Sequence, residues 1–156
     1  MLTQARALEL LSYDPATGRL VWREGAYNAG KVAGEGNGSY GRVYIDGARY
    51  KAHRVIWLMM TGSFPLEIDH ANGVKSDNRF ANLREANRSQ NCANRGLFKN
   101  NSARRKGVSF YNGKYVARIT RDGRTACLGF FDTPDEAAEA YRLASVETFG
   151  AFARAA

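Results

Sequence analysis

The 156-residue chain is predicted to be an α+β protein made of two small modules. Three observations predict this. Residues 66–95 alternate a short strand, a polar loop, a second short strand and a helix. After residue 106, three strand-like runs are joined by Asn112-Gly113 and Asp122-Gly123, dipeptides that favour tight hairpins. Thr133-Pro134-Asp135-Glu136 then combines an N-cap, Pro at N1 and Glu at N3, which opens a helix that Gly150 closes.

The elements follow in order. Thr3 caps a short helix through Leu11, with Leu8 and Leu11 on one side. Asp14-Pro15-Ala16-Thr17-Gly18 is a turn by composition, and Arg19–Trp22 reads as a strand. Residues 25–39, with Gly25, Gly30, Gly34, Gly36 and Gly38, read as a loop without phosphate-binding spacing. Arg42–Ile45 and Ala48–Lys51 flank Asp46-Gly47, a hairpin signal. A helix is expected from His53 to Thr61 with Gly62 at its end, then strands at Leu66–Asp69 and Leu83–Ala86. Asn87, three residues before Gln90, caps a helix over 88–95. Gly96–Arg105 is polar and basic and reads as a linker. The last strands are expected at 107–111, 114–121 and 125–131. The final helix carries Ala137, Ala138, Ala140 and Ala144, small residues that pack closely on a sheet.

The net charge of +8 calls for a polyanionic partner, nucleic acid before membrane surface. Residues 99–124 carry eight basic side chains and one acidic, so most of the excess lies in one stretch. Cys92 and Cys127 have neither metal-ligand spacing nor the number for a disulfide framework, and read as free thiols in a reducing compartment. The polar N-terminus is not a secretory signal, and no run approaches the ~20 apolar residues of a membrane span. The expected setting is the cytoplasm.

Residues 68–91 set Asp69, His70, Asn82 and Asn91 in one short stretch with few large apolar residues between them. Phosphodiester hydrolysis needs an activated water, a cation on the phosphate oxygens and an anchored substrate. His70 suits the first need as general base, since an imidazole titrates near 6.5. Asp69 and Asn91 offer oxygen ligands to a hard cation. Asn82 suits a brace that hydrogen-bonds loop backbone and holds His70. His53, the only other histidine, is read either as a packing and hydrogen-bonding residue or as a DNA contact.

The same segment resembles the HNH endonuclease family, most of all the H-N-N homing endonucleases of phages and introns. The resemblance rests on Ala52-His53-Arg54-Val55-Ile56-Trp57, Ile68-Asp69-His70, Asn72-Gly73 to Asp77-Asn78-Arg79, Asn82-Leu83-Arg84-Glu85 and Ser89 to Arg95. The spacings also match, with Asn82 twelve and Asn91 twenty-one residues after His70. Tyr13–Trp22 resembles the family's usual N-terminal lead. The resemblance implies a ββα-metal fold over about 66–95, His70 as general base, Asp69 and Asn91 as ligands of one cation, and Asn82 as a positioning residue. Asn91 stands where the family often has histidine, which favours Mg²⁺ or Mn²⁺ over Zn²⁺.

Downstream, Tyr115, Ala117 and Ile119 alternate with Lys114, Val116, Arg118 and Thr120. The first set is expected to face the helix. The second, with Ser109 and Tyr111, is expected to form an open basic face, with Lys106, Arg121 and Arg124 at its edges. Such a face fits a major groove. Lys106-Gly107-Val108, Tyr115–Ile119, Leu128–Phe131, Glu136–Ala138, Ala140-Tyr141 and Ala144 resemble an AP2 DNA-binding domain. Thr125 and Cys127 stand where plant relatives carry arginine and tryptophan, and Ser109 replaces an arginine, so a plant-type target is not implied.

Together these readings give a divalent-metal-dependent DNA endonuclease, acting on double-stranded DNA as a monomer or weak dimer. Residues 1–98 form the nuclease module, 99–105 a basic linker and 106–156 the AP2-like domain. Arg84, Arg88, Arg95, Arg104 and Arg105 are expected phosphate contacts beside the sheet residues. The rivals are a DNA-binding regulator with an inactive nuclease module and an RNA-directed protein. Against the second, Tyr111 is the one exposed aromatic expected for base stacking.

Overall fold

A computed structural model describes residues 1–35 and 40–154. Gly36 and Gly38 of the expected loop lie outside the described residues. The chain divides into two compact units, Met1–Glu85 and Ala86–Ala156.

In the first unit, helix α1 (Gln4–Leu10) starts where the Thr3 hydroxyl accepts from the Arg6 amide at 3.2 Å. Ala7 and Leu11 are the buried side chains here, and Leu8 is exposed. The helix ends one residue earlier than expected because Leu11 enters a strand. That strand, β1 (Leu11–Asp14), pairs antiparallel with β2 (Arg19–Trp22) across the predicted turn. Asp14 closes the turn by accepting from the Ala16 amide and the Thr17 hydroxyl. A two-residue strand, β3 (Val32–Ala33), adds to β2 from within the glycine-rich stretch.

Strands β4 (Arg42–Ile45) and β5 (Ala48–Lys51) form the expected hairpin. Asp46 and Gly47 both have positive φ, 48° and 76°, as the preferred two-residue hairpin turn requires. Helix α2 (Ala52–Thr61) follows and stops at Gly62, whose φ of 81° gives the left-handed C-terminal cap. Strands β6 (Glu67–His70) and β7 (Leu83–Ala86) form a two-stranded sheet. The core of the unit gathers Leu11, Leu20, Val43, Ile45, Val55, Ile56, Leu58, Ile68 and Leu83, so both ends of the 70–83 loop are anchored in it.

In the second unit, α3 (Arg88–Ala93) opens with the predicted capping box between Asn87 and Gln90. The expected helix to residue 95 is two residues shorter. Strands β8 (Val108–Tyr111), β9 (Lys114–Arg121) and β10 (Arg124–Phe131) form an antiparallel sheet with β9 in the middle. Asn112-Gly113 and Asp122-Gly123 both carry positive φ on both residues. Helix α4 (Pro134–Phe149) has the full capping box of Thr133 and Glu136 and Pro at its start. Ala137 is fully buried against Val108 and Ala117.

The boundary between the units falls after Glu85 rather than within 99–105. Helix α3 belongs with the C-terminal sheet because Ala93 packs with Ile119 and Phe149. Ser89 adds hydrogen bonds to the Asp122 carboxylate and amide, at 2.9 and 2.8 Å. Within the 99–105 stretch, the Asn101 amide donates to the Arg105 and Val108 carbonyls, which ties that segment into the same unit. Among the described residues, no helix is long and apolar enough to cross a membrane.

Candidate active site

Strand β6 is amphipathic by neither face nor period. Ile68, Asp69 and His70 are all buried, at 4, 5 and 3% exposure. A strand alternates its side chains, so burial of three in succession means that both faces are covered. The strand ends at His70, where the Gly73 amide donates to the His70 carbonyl at 2.7 Å and turns the chain.

The Asp69 carboxylate is held by Arg84 of β7. Arg84 Nε and Nη2 donate to Asp69 Oδ2 at 2.9 and 2.7 Å. The side chains retain 22% and 6% exposure, so water screens the pair poorly. Removing one partner of such a pair costs about 3–5 kcal/mol, because the other charge is left buried. Arg84, expected as a phosphate contact, is engaged with the expected metal ligand.

His70 Nε2 stands 3.0 Å from Asn78 Oδ1. Burial is the largest influence on the imidazole and holds its pKa below the ordinary 6.5; Asn78 and the nearby acids Asp69 and Asp77 push the other way. A neutral ring is the form that accepts a proton. His53, at the start of α2, packs edge-on to His70 with centroids 5.1 Å apart. Tyr40 contacts both rings, at 4.9 and 5.8 Å. Lys51 and Lys75 lie over the Tyr40 ring, at 4.7 and 5.1 Å, in cation–π geometry. Burial first, then the nearby His70, Lys51 and Arg54, pushes the His53 pKa down to about 3. At 4% exposure His53 is packed among these rings.

The side chain of Asn82 bonds across the loop to Asn72 and Asp77. Asn82 Oδ1 accepts from the Asn72 amide at 3.0 Å, and Nδ2 donates to Asn72 Oδ1 and the Asp77 carbonyl at 3.0 and 2.8 Å. Its carbonyl accepts from the Ala71 amide at 2.9 Å. The loop is tightened further by Asp77, which accepts from Asn72 Nδ2 and from Arg79. Hydrogen bonding to Arg79 is the main reason the Asp77 carboxyl falls to about 2. Asn78, whose side chain faces His70, reads from sequence as a polar turn residue within the Asp77-Asn78-Arg79 stretch. The resemblance covers this stretch but gives Asn78 no role of its own.

A carboxylate oxygen is a ligand of the kind that hard cations take. Asp69 supplies a carboxylate, yet no group of three or more His, Cys, Asp or Glu that could hold a metal occurs among the described residues. Arg88, Asn91 and Arg95 stand on or just after α3 in the second unit. Asn91 is half-buried and the two arginines are exposed.

The C-terminal sheet presents Lys114, Arg118 and Thr120 from β9 as exposed residues, flanked by half-buried Ser109 and exposed Tyr111. Arg118 donates to the Ser109 hydroxyl at 3.2 Å, and the Thr120 and Thr125 hydroxyls meet at 2.8 Å. Arg121 and Arg124 are exposed beside the 122–123 turn, as is Arg104. Three predicted positions differ. Val116, expected on the open face, is fully buried: its cross-strand neighbours there are Ser109 and Phe130, and their side chains leave a small residue on the central strand no access to water. Lys106 turns inward, its ammonium bonded to the Ala93 and Arg154 carbonyls, and burial lowers it to about 8. Arg105 pairs with Asp135 at 2.8 Å. Lys114 also has an acidic partner, Asp132.

Residues 50–93 match the model of an HNH endonuclease family. A relative from Acanthamoeba polyphaga mimivirus, described as an uncharacterized HNH endonuclease, is 34% identical over 115 residues, which cover 71% of this chain and 59% of the relative. The chain thus spans about three-fifths of that protein's length. No solved structure matches the chain.

Proposed function

We propose that this chain, whose residues 50–93 match HNH endonucleases, hydrolyses a phosphodiester bond in duplex DNA with one divalent cation, Mg²⁺ or Mn²⁺. The observation that carries this reading is the adjacent Asp69 and His70, both buried at the end of β6, inside the matched segment. A carboxylate and a neutral imidazole at one strand end are the pair that metal-assisted hydrolysis needs. His70 takes the proton from the attacking water. Asp69 holds the cation, and Asn91 is proposed as a further ligand from its sequence spacing alone. Bound there, the cation neutralises charge on the phosphate and its leaving oxygen. Arg84 offers a forked guanidinium suited to phosphate oxygens once its pair with Asp69 opens. Asn82 keeps the loop in shape.

The sheet β8–β10 is proposed as an AP2-like surface for duplex DNA, through Ser109, Tyr111, Lys114, Arg118, Thr120, Arg121 and Arg124, with Arg104 nearby. Arg105, like Lys114, sits in an exposed pair with an aspartate and joins this set; Lys106 is left out because its ammonium is turned inward onto two carbonyls.

Supercoiled plasmid incubated with the protein should be nicked or linearised in Mg²⁺ or Mn²⁺ and left intact in EDTA. A folded protein that cuts nothing in either cation overturns the reading. The Asp69–Arg84 pair favours a second reading, a DNA-binding regulator with a silent nuclease site. Tight duplex binding without cutting selects it. For the sheet, Arg118→Ala should weaken binding and reduce the slope of log affinity against log salt by about one. An unchanged slope removes Arg118 from the interface.

A further inference from the structure

The pairing of β10 with β9 slips by one residue beside Gly129. Cys127 stands opposite Arg118 and Gly129 opposite Ala117, so Leu128 is the extra residue of a β-bulge. Gly129 takes a φ of +149°, a backbone that residues with a Cβ rarely adopt. A slip of one residue moves every later side chain to the other face of its sheet. In unbroken register Phe130 would stand opposite Tyr115 and face α4. With the bulge it stands opposite Val116, and Phe131 takes the place opposite Tyr115 and packs with Ala117 and Ala137.

The bulge thus carries a phenyl ring to the open face and leaves it 62% exposed, beside the fully buried Val116. Lys114 and Arg118 lie two residues before and after Val116 on β9, so the ring sits between two exposed cations. A single exposed apolar side chain is ordinary on a protein surface. One brought to a cationic face by a special backbone conformation has a narrower use. Cations there meet phosphates, contacts that set register and carry no sequence information. Of the groups that a major groove presents, the thymine 5-methyl is the apolar one, and phenylalanine is a side chain that meets it. We infer that Phe130 is a specificity-determining residue that reads thymine through its methyl group. The inference rests on the reading of the β8–β10 sheet as a surface for duplex DNA.

The test removes the methyl group alone. Duplexes that the wild-type chain retains from a random-sequence library in EDTA are amplified twice, once with thymidine and once with deoxyuridine triphosphate. Wild type should bind the thymine pool about three- to fivefold more tightly than the uracil pool, the worth of one buried methyl group. Phe130→Ala should bind the two pools alike. Phe130→Leu, still apolar, should keep part of the preference. A wild type that binds both pools equally overturns the inference. So does a Phe130→Ala protein that keeps the wild-type ratio, including one that binds both pools more weakly by the same factor, as a merely structural role would give. Arg118→Ala should weaken binding to both pools. Should it do so while Phe130→Ala keeps the thymine preference, the inference falls and the binding surface stands. Should neither substitution change binding to either pool, the surface falls with it.

Discussion

Replacing His70 by alanine should lower the rate of duplex cleavage by about 10²–10⁴-fold, the contribution of a general base, while DNA affinity stays near that of the wild type. Affinity is carried mainly by cations that meet phosphates, and His70 is buried and neutral. Its pKa lies below 6.5, chiefly through burial, so the basic form persists through neutral pH. The wild-type rate should then fall only as the pH drops below the ordinary histidine range. Plasmid nicking measured against time, with binding measured in parallel in EDTA, checks both parts. Undiminished cutting by His70→Ala would remove the mechanism. Lost cutting together with lost binding would mean that the substitution had disturbed more than the base.

The second large effect concerns stability in acid. His53 is 4% exposed, and its pKa in the folded protein is near 3, against 6.5 for an unperturbed histidine. Between those values the unfolded chain holds a proton that the folded chain refuses. Stability therefore rises with pH across this window and is lost as pH falls through it, at up to about 1.4 kcal/mol per pH unit. His70 is shifted in the same direction and adds to the slope. Urea unfolding of the wild type should show a midpoint that drops steeply from pH 6.5 towards 4. His53→Gln, which has no proton to gain, should start less stable and lose less over the same range. Parallel slopes for the two proteins would show that His53 is not the acid-sensitive group.

Much of the fold is legible because its signals are local. The three hairpin turns, both capping boxes and the glycine that ends α2 are each written within a few residues, and each forms where it is read. What escapes the sequence depends on partners far away. Strand β1 is one case: Leu11–Asp14 looks like the end of a helix and the start of a turn until β2 pairs with it. Val116 is another, since strict alternation assigns it to the open face and only its cross-strand neighbours bury it. The site divides in the same way. Asp69, His70 and Asn82 stand out by type and spacing. The Arg84 guanidinium looks like a phosphate contact until it is seen on Asp69, and Asn78 is one asparagine among several. A basic side chain read from sequence carries a charge but not the direction in which it points, which is why Lys106 was expected outward and is found on two carbonyls.

The tie from Tyr13 to Asn78 and Phe80 spans 65 and 67 residues, and Gln4 reaches the Met59 carbonyl across 55. The hairpins of the second unit close over two-residue turns. Contacts of such different range form at different rates, because a long loop must be closed before its contacts reward the chain. The hairpins of the second unit are thus expected to form early. The surroundings of His70 are expected to form later, when the first twenty residues close onto the loop. During synthesis that step cannot begin until Phe80 has left the ribosome. A fragment trimmed to the 50–93 match would keep Asp69, His70, Asn82 and Asn91 and lose the contacts that hold the loop around them.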